Sequence, residues 1–491
     1  MVGLLGSLVE LNKAGLLDCI LYLSGVSGST WCMASLYQEP DWSTKLETVK
    51  DKIIKRLSGP GVSWGNAFAK LKKYYYGKDY FSLTDVWAAM FVTTYMKEID
   101  EHTLTDKRYQ LGKDPFPIYT VTDKQSKQKE GGDPWFEISP YEAGYSLTGA
   151  FVDTSSFGSQ FENGSKKKQQ PEMDMLYLQA LCGSALAGEE SKEFIWGKIQ
   201  DFIKHLRPSK ETIMFEEMKE DPNSPSVEKC YQVLLDLVDM NLCVLNDKDP
   251  SALDQSIRTN LNELAGGKSQ LIFPTQKLNL ADKEAAKLYM KQYTEDVCNY
   301  LSQFSLGRLD LFLSIFKCMA LWIWGRNYNF LHRMTDENVP SGLLETEVRD
   351  YDDAGLLLNS PYISVLRKER NIDLIISLDF SEGDPFMTVR EAAEMCKTLN
   401  ISFPEVNIPT EDLEKPKDFY VFKGQNAPTV IHMPLFNVVN CGDEVEAWRN
   451  KYRTFQGPYS AEMITDLMEV AGKNIFNNRE KLKEQIRAVV G

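Results

Sequence analysis

Residues 19–37 put a serine where an extended run gives way to a helix. Cys19–Ser24 is a short apolar run of strand character, Gly25-Val26-Ser27-Gly28-Ser29 is a turn of small residues, and Thr30–Tyr37 reads as a helix start. A sharp strand-to-helix turn lifts a serine hydroxyl out of the sheet edge. The first N–H groups of the new helix then point at any negative charge that develops on an attacked carbonyl. Ser27 is therefore the candidate nucleophile. The turn departs from the Gly-x-Ser-x-Gly elbow of serine hydrolases by ending on Ser29, and a tight turn without chemistry is the competing reading.

A serine hydroxyl needs a base to take its proton. The chain has four histidines, His102, His205, His332 and His432. Among the many carboxylates, Asp352-Asp353-Ala354-Gly355 follows an extended stretch and precedes Leu356–Pro361. An aspartate at a strand end before a small-residue turn is where open α/β sheets set reactive groups. Asp-x-Gly is also ordinary turn chemistry, so the pattern alone leaves both roles open.

The elements that would position these residues read as α/β. Val2–Ala14 has apolar residues at helical spacing and closes at Gly15. Leu374–Phe380, almost continuously apolar, suits a central parallel strand covered on both faces. A helix is expected over Thr388–Leu399, with strands at Phe419–Lys423 and Val430–Met433. A long amphipathic helix over about Ala461–Val490, broken near Gly472, ends the chain. Polar, Pro/Gly/Lys-rich stretches at Thr122–Asp133, Gly164–Pro171, Arg207–Ser226 and Thr335–Glu345 punctuate a mainly helical middle. The expectation is one catalytic domain over 1–491, with Ser27 and the later strands in one sheet. A mostly helical cap would be inserted at roughly 105–340.

The whole-chain numbers narrow the function. A formal net charge of −15 argues against nucleic-acid binding. It also leaves any membrane contact local and partly apolar. Nine scattered cysteines without a Cys-x-x-Cys pair suggest buried free thiols in a reducing compartment. The most apolar stretch, Leu309–Trp324, contains Asp310 and Lys317 and is a poor membrane span. No metal site is expected, because Asp350–Asp353 lacks the loop spacing of a calcium-binding hand. The basic runs Lys70–Lys73 and Lys166–Lys168 could meet phosphate, although such runs are more often solvated faces. A soluble cytoplasmic protein with peripheral membrane association is expected.

Several stretches carry a family resemblance in order along the chain: Leu23-Ser24-Gly25-Val26-Ser27-Gly28-Ser29-Thr30-Trp31, Pro134-Trp135-Phe136-Glu137 with Pro140-Tyr141-Glu142, Phe157-Gly158-Ser159-x-Phe161, Asp353-Ala354-Gly355-x-x-x-Asn359-x-Pro361 and Ile376-Ser377-x-Asp379-Phe380-Ser381. Together they resemble the cytosolic (group four) phospholipase A2 family, in particular its branch without the calcium-binding C2 domain. The resemblance implies a patatin-like three-layer α/β core. It also implies calcium-independent hydrolysis of fatty acyl esters of phospholipids and lysophospholipids, with no cofactor. In that family a serine–aspartate dyad acts without histidine, which makes Ser27 the nucleophile and Asp353 the base. Gly28 then supplies an oxyanion N–H. Arg370 is the phosphate-binding candidate, with Arg367 its competitor.

One departure stands out. The family has a glycine-rich stretch, Gly-Gly-Gly-x-Arg-Ala, just before the residues that match Met1-Val2-Gly3. It supplies further oxyanion donors, so the chain as written is expected to be an impaired catalyst. Two alternatives follow. One is a catalytically silent lipid-binding or scaffold relative. The other is an esterase triad in the order Ser27, Asp353, His432.

Overall fold

The computed structural model describes residues 1–129, 132–205, 225–267, 277–304 and 309–491. The chain forms two compact units, one of Met1–Ala67, Trp87–Ala185 and Gly325–Gly491, the other of Phe68–Val86 and Leu186–Trp324. Part of the expected cap, residues 206–224, lies outside the described residues.

In chain order the strands are β1 (Tyr22–Gly25), β2 (Phe116–Asp123), β3 (Trp135–Ile138), β4 (Glu142–Tyr145), β5 (Ala150–Asp153), β6 (Gln160–Glu162), β7 (Ser165–Lys168), β8 (Arg326–Tyr328), β9 (Val348–Asp353), β10 (Leu374–Asp379), β11 (Tyr420–Phe422) and β12 (Thr429–Pro434). Seven of them make the sheet that carries the site. It runs β5-β4-β3-β2-β9-β8, and β1 pairs in addition with β2. β3 takes one edge of β2 through Tyr119–Thr122. The other edge is shared. β1 lies along it in parallel as far as Gly25, opposite Tyr119. β9 arrives antiparallel and ends at Asp353, opposite Val121. Two strands far apart in sequence thus run toward each other along one edge of β2 and stop two residues apart.

The shape of the first unit follows from what these strands bury. Phe136 of β3 meets Tyr351 of β9 at 4.7 Å and Tyr145 of β4 at 5.0 Å between ring centroids. Asp123 and Arg349 form a buried bidentate pair beside them, at 2.8 and 2.9 Å. The helix α1 (Val2–Lys13) packs on the helix Ala461–Asn477. A Cβ at Gly6 would come within 2.5 Å of Met468 O, and one at Gly472 within 2.9 Å of the Glu10 side chain, so glycines let these backbones approach. Gly472 therefore lies inside its helix rather than breaking it. The break falls at Asn478, whose amide donates to Asn474 O and to the buried Asp418 carboxylate.

Two further expectations change. Leu374–Asp379 does form a strand parallel to β12, but in a separate three-stranded sheet, β10-β12-β11, not in the sheet of Ser27. Its apolar residues are covered by the Phe386, Val389 and Tyr420 cluster, so an apolar run reported burial without reporting which sheet. Of the stretch 105–340 expected as a helical insertion, 116–168 forms β2 to β7 and includes the central strand of the site. The second unit is mainly helical, with Lys192–His205, Pro225–Leu245, Ser251–Leu264, Lys283–Leu301 and Leu309–Leu321 among its elements. Phe68 and Phe202 each stack on Phe312 in its interior and lie tilted to one another, with centroids 6.0–6.3 Å apart. Cys19, expected to be buried, is exposed on the 3-10 turn before β1, whereas seven other cysteines are buried free thiols.

Candidate active site

The turn after β1 is built as the small residues demand. The helix α2 (Gly28–Leu36) starts one residue after Ser27, which sits at φ 55°, ψ −126°. A positive φ on a residue with a Cβ is strained and persists only where its surroundings enforce it. Here they do. Gly25 has no room for a side chain, because a Cβ there would sit 2.5 Å from Met33 Sδ. Thr120 of β2 donates to Gly25 O at 2.8 Å. Thr30 Oγ1 donates to Ser27 O at 2.5 Å. The Ser29 and Thr30 N–H groups bond back to Val26 O and Ser27 O. This leaves the Gly28 N–H, at the first position of the helix, as the amide next to the nucleophile.

Ser27 is half-buried and its Oγ donates to Asp353 Oδ2 at 2.7 Å. The pairing spans 326 positions and follows from the head-on arrival of β1 and β9 on β2. Asp353 is 1% exposed. Its Oδ1 accepts from the Gly355 N–H at 2.8 Å, the i to i+2 bond that an Asp-x-Gly turn provides. Its own N–H donates to Ser184 Oγ at 3.1 Å. Burial pushes the Asp353 carboxyl up to about 7, against the hydrogen bonds from Ser27 and Gly355, which pull the other way. Asp352 adds to the rise and Lys127 opposes it. A carboxylate with that affinity for a proton can take one from a serine near neutral pH and return it to a leaving group.

The other named residues fall elsewhere. The Arg370 guanidinium forks onto the buried Glu137 carboxylate at 2.5 and 3.0 Å, and Arg367 adds a contact at 3.4 Å. Ser146 completes the Glu137 shell at 2.8 Å. Arg370 also lies over the Tyr22 ring of β1 at 5.4 Å. Its fork is thus already filled by a carboxylate, in a buried pair that ties the loop after β9 to β3 and β1. His432 is fully buried, and its Nε2–H donates to Pro385 O at 2.7 Å. Burial holds its pKa down, and Asp379 beside it acts in the opposite direction. Trp322 and Trp324, in the apolar stretch Leu309–Trp324, are buried core residues.

Sequence reasoning missed Ser184, Glu137 as the arginine acceptor, and Lys127. Each acts across at least 169 positions, and no local pattern signals such a pairing.

The comparisons agree with this architecture. Human GIVD cytosolic phospholipase A2 superposes with a TM-score of 0.64 at 20% identity, over 100% of this chain and 58% of that one. The fold is therefore of the patatin-like α/β class. A lysophospholipase catalytic domain family matches residues 7–188, the part that holds Ser27. Mouse cytosolic phospholipase A2 gamma is 32% identical over the whole of this chain and 84% of its own length, and the human gamma protein 31% identical over 100% and 87%. The chain belongs to the cytosolic phospholipase A2 family, a family of ester hydrolases.

Proposed function

We propose that this chain hydrolyses fatty acyl esters of glycerophospholipids and lysophospholipids through an acyl-enzyme on Ser27, with Asp353 as the general base. The observation that carries the reading is the direct 2.7 Å hydrogen bond from Ser27 Oγ to a buried Asp353 carboxylate. Asp353 takes the hydroxyl proton as Ser27 Oγ attacks the ester carbonyl, and the Gly28 N–H receives the oxyanion. As the tetrahedral intermediate collapses, the proton passes to the departing alcohol. Asp353 then deprotonates the water that releases the fatty acid. Calcium is not required in this scheme, because nucleophile and base are already in contact. Contact with the membrane is peripheral, since among the described residues no helix is long and apolar enough to cross one. The phosphate role that the resemblance implies for Arg370, with Arg367 its competitor, would require the phosphate to displace Glu137, which fills the guanidinium fork in this structure.

Acyl release from phospholipid vesicles in the presence of a calcium chelator tests the scheme. The native chain should be active, and Ser27→Ala and Asp353→Asn should each lose about 10²-fold or more with unchanged circular dichroism. A rate within about tenfold of native in either variant overturns it.

A further inference from the structure

The far face of β9 carries a second charged assembly that the mechanism does not use. Asp352 points away from Ser27 and is nearly buried. Lys127, at the end of the helix α3 (Lys124–Lys127), donates to both its oxygens at 2.6 and 2.8 Å. Thr122 of β2 donates to Asp352 Oδ1 at 2.8 Å. Asp352 is the residue before the base, so its charge and its tether act on the strand end that delivers Asp353.

We propose that Lys127 and Asp352 are positioning residues for the reaction. Their ion pair anchors the last turn of β9 to β2 and α3, and it cancels a negative charge that would otherwise stand next to the base. This rests on the dyad reading above. The alternative is a structural pair that holds the sheet together and leaves the proton affinity of Asp353 alone.

The other ionisable groups around the strand end are internally balanced. On β2, Asp123 is paired with Arg349. From β8, Arg326 is paired with Asp350. From the helix Met175–Cys182 comes the Cys182 thiol, which burial and the neighbouring Asp353 hold well above its ordinary pKa, so it stays neutral. From the turn after β1 comes Ser27 itself. The Lys127–Asp352 pair is thus the balance that a single substitution can tip in either direction. Removing Lys127 leaves a negative charge beside Asp353 and favours its protonated form. Removing the charge of Asp352 leaves Lys127 as an uncompensated cation and favours the carboxylate.

The test is the pH profile of acyl release by the full chain on lysophospholipid micelles. The acid limb should move down by about one pH unit in Asp352→Asn and up by a similar amount in Lys127→Met, within the range that one nearby charge produces. Lys127→Arg and the double variant Lys127→Met/Asp352→Asn should both return close to the native limb. A purely structural pair predicts lower activity in both single variants with limbs unmoved or moved the same way, and that result overturns the proposal. If Lys127→Met does not fold, the near-isosteric Asp352→Asn decides by itself. Ser27→Ala run alongside separates the two failures. Activity that persists there removes the dyad reading and this proposal with it, whereas an inactive Ser27→Ala with unmoved limbs removes the ion-pair proposal alone.

Discussion

Two buried aspartates end strands in the same unit, and they begin alike. Asp353 closes β9 and Asp379 closes β10. Each turns the chain by accepting an N–H from two residues on, Gly355 at 2.8 Å and Ser381 at 2.9 Å. They differ at the second oxygen. Asp353 Oδ2 receives a half-buried serine held in a strained turn. Asp379 Oδ2 has no hydrogen-bond partner among the described residues and lies near His432, whose Nδ1 is also unpartnered. Acid plus histidine looks richer in catalytic groups than acid plus serine. Yet the His432 ring is sealed against Phe386 and Tyr420, and its Nε2–H is committed to Pro385 O. A site is made by a strained, accessible nucleophile meeting a desolvated base, and the number of titratable groups in a cluster does not decide it.

The largest effect expected from this contrast is in paired amide substitutions. Asp353→Asn removes the base and should lower the rate of acyl release by about 10²–10⁴, the usual reach of general-base catalysis. Asp379→Asn, in the same local turn, should leave the rate within about threefold. Comparable losses in both would break the contrast.

The next effect is on pH. Asp353 must be ionised to act, and its carboxyl sits at about 7, so acyl release should fall roughly tenfold for each pH unit below that value. The stability sign runs the other way. A carboxyl raised from 3.8 to about 7 keeps a proton in the folded chain that the unfolded chain has released. Its contribution to stability is therefore largest near pH 4 and is lost as pH rises toward 7. Asp353→Asn should abolish that slope. Its gain in unfolding temperature over the native chain should therefore be larger at pH 8 than at pH 5. Thermal melts at the two pH values check this, and they also separate a lost base from a lost fold.

The half of the site that depends on local chemistry was legible in the sequence. Gly25 to Ser29 between an apolar run and a helix start marked the turn, and Asp-x-Gly marked the capped aspartate. What brings them together was not legible from local pattern. β2 carries Pro117 and lies in a stretch that reads as punctuated helix, and the strands on its β3 side, β3, β4 and β5, are four residues each, too short for a firm period of two. The head-on meeting of β1 and β9 is a property of β2's edge, and it is encoded across 326 positions. The joining of Ser27 to Asp353 came from ordered family motifs, not from periodicity. Leu374–Asp379 shows the converse. Its apolar pattern correctly marked a strand, but pattern carries no information on which sheet a buried strand joins.

The smallest expected change concerns His432, and it discriminates between the two clusters most finely. In a Ser-Asp-His triad the histidine stands between nucleophile and acid, and removing it costs orders of magnitude. Here the Ser27 hydroxyl bonds Asp353 directly, and the His432 Nε2–H is committed to Pro385 O. His432→Gln keeps a donor for that carbonyl. It should leave acyl release within about threefold, while the disturbed packing against Phe386 and Tyr420 costs roughly 1–3 kcal/mol of stability. A drop of 10² or more in rate at unchanged fold would mean that His432 reaches the serine in the reacting enzyme. The Asp379 cluster would then have to be counted as part of the site, and the distinction between the two strand ends would collapse.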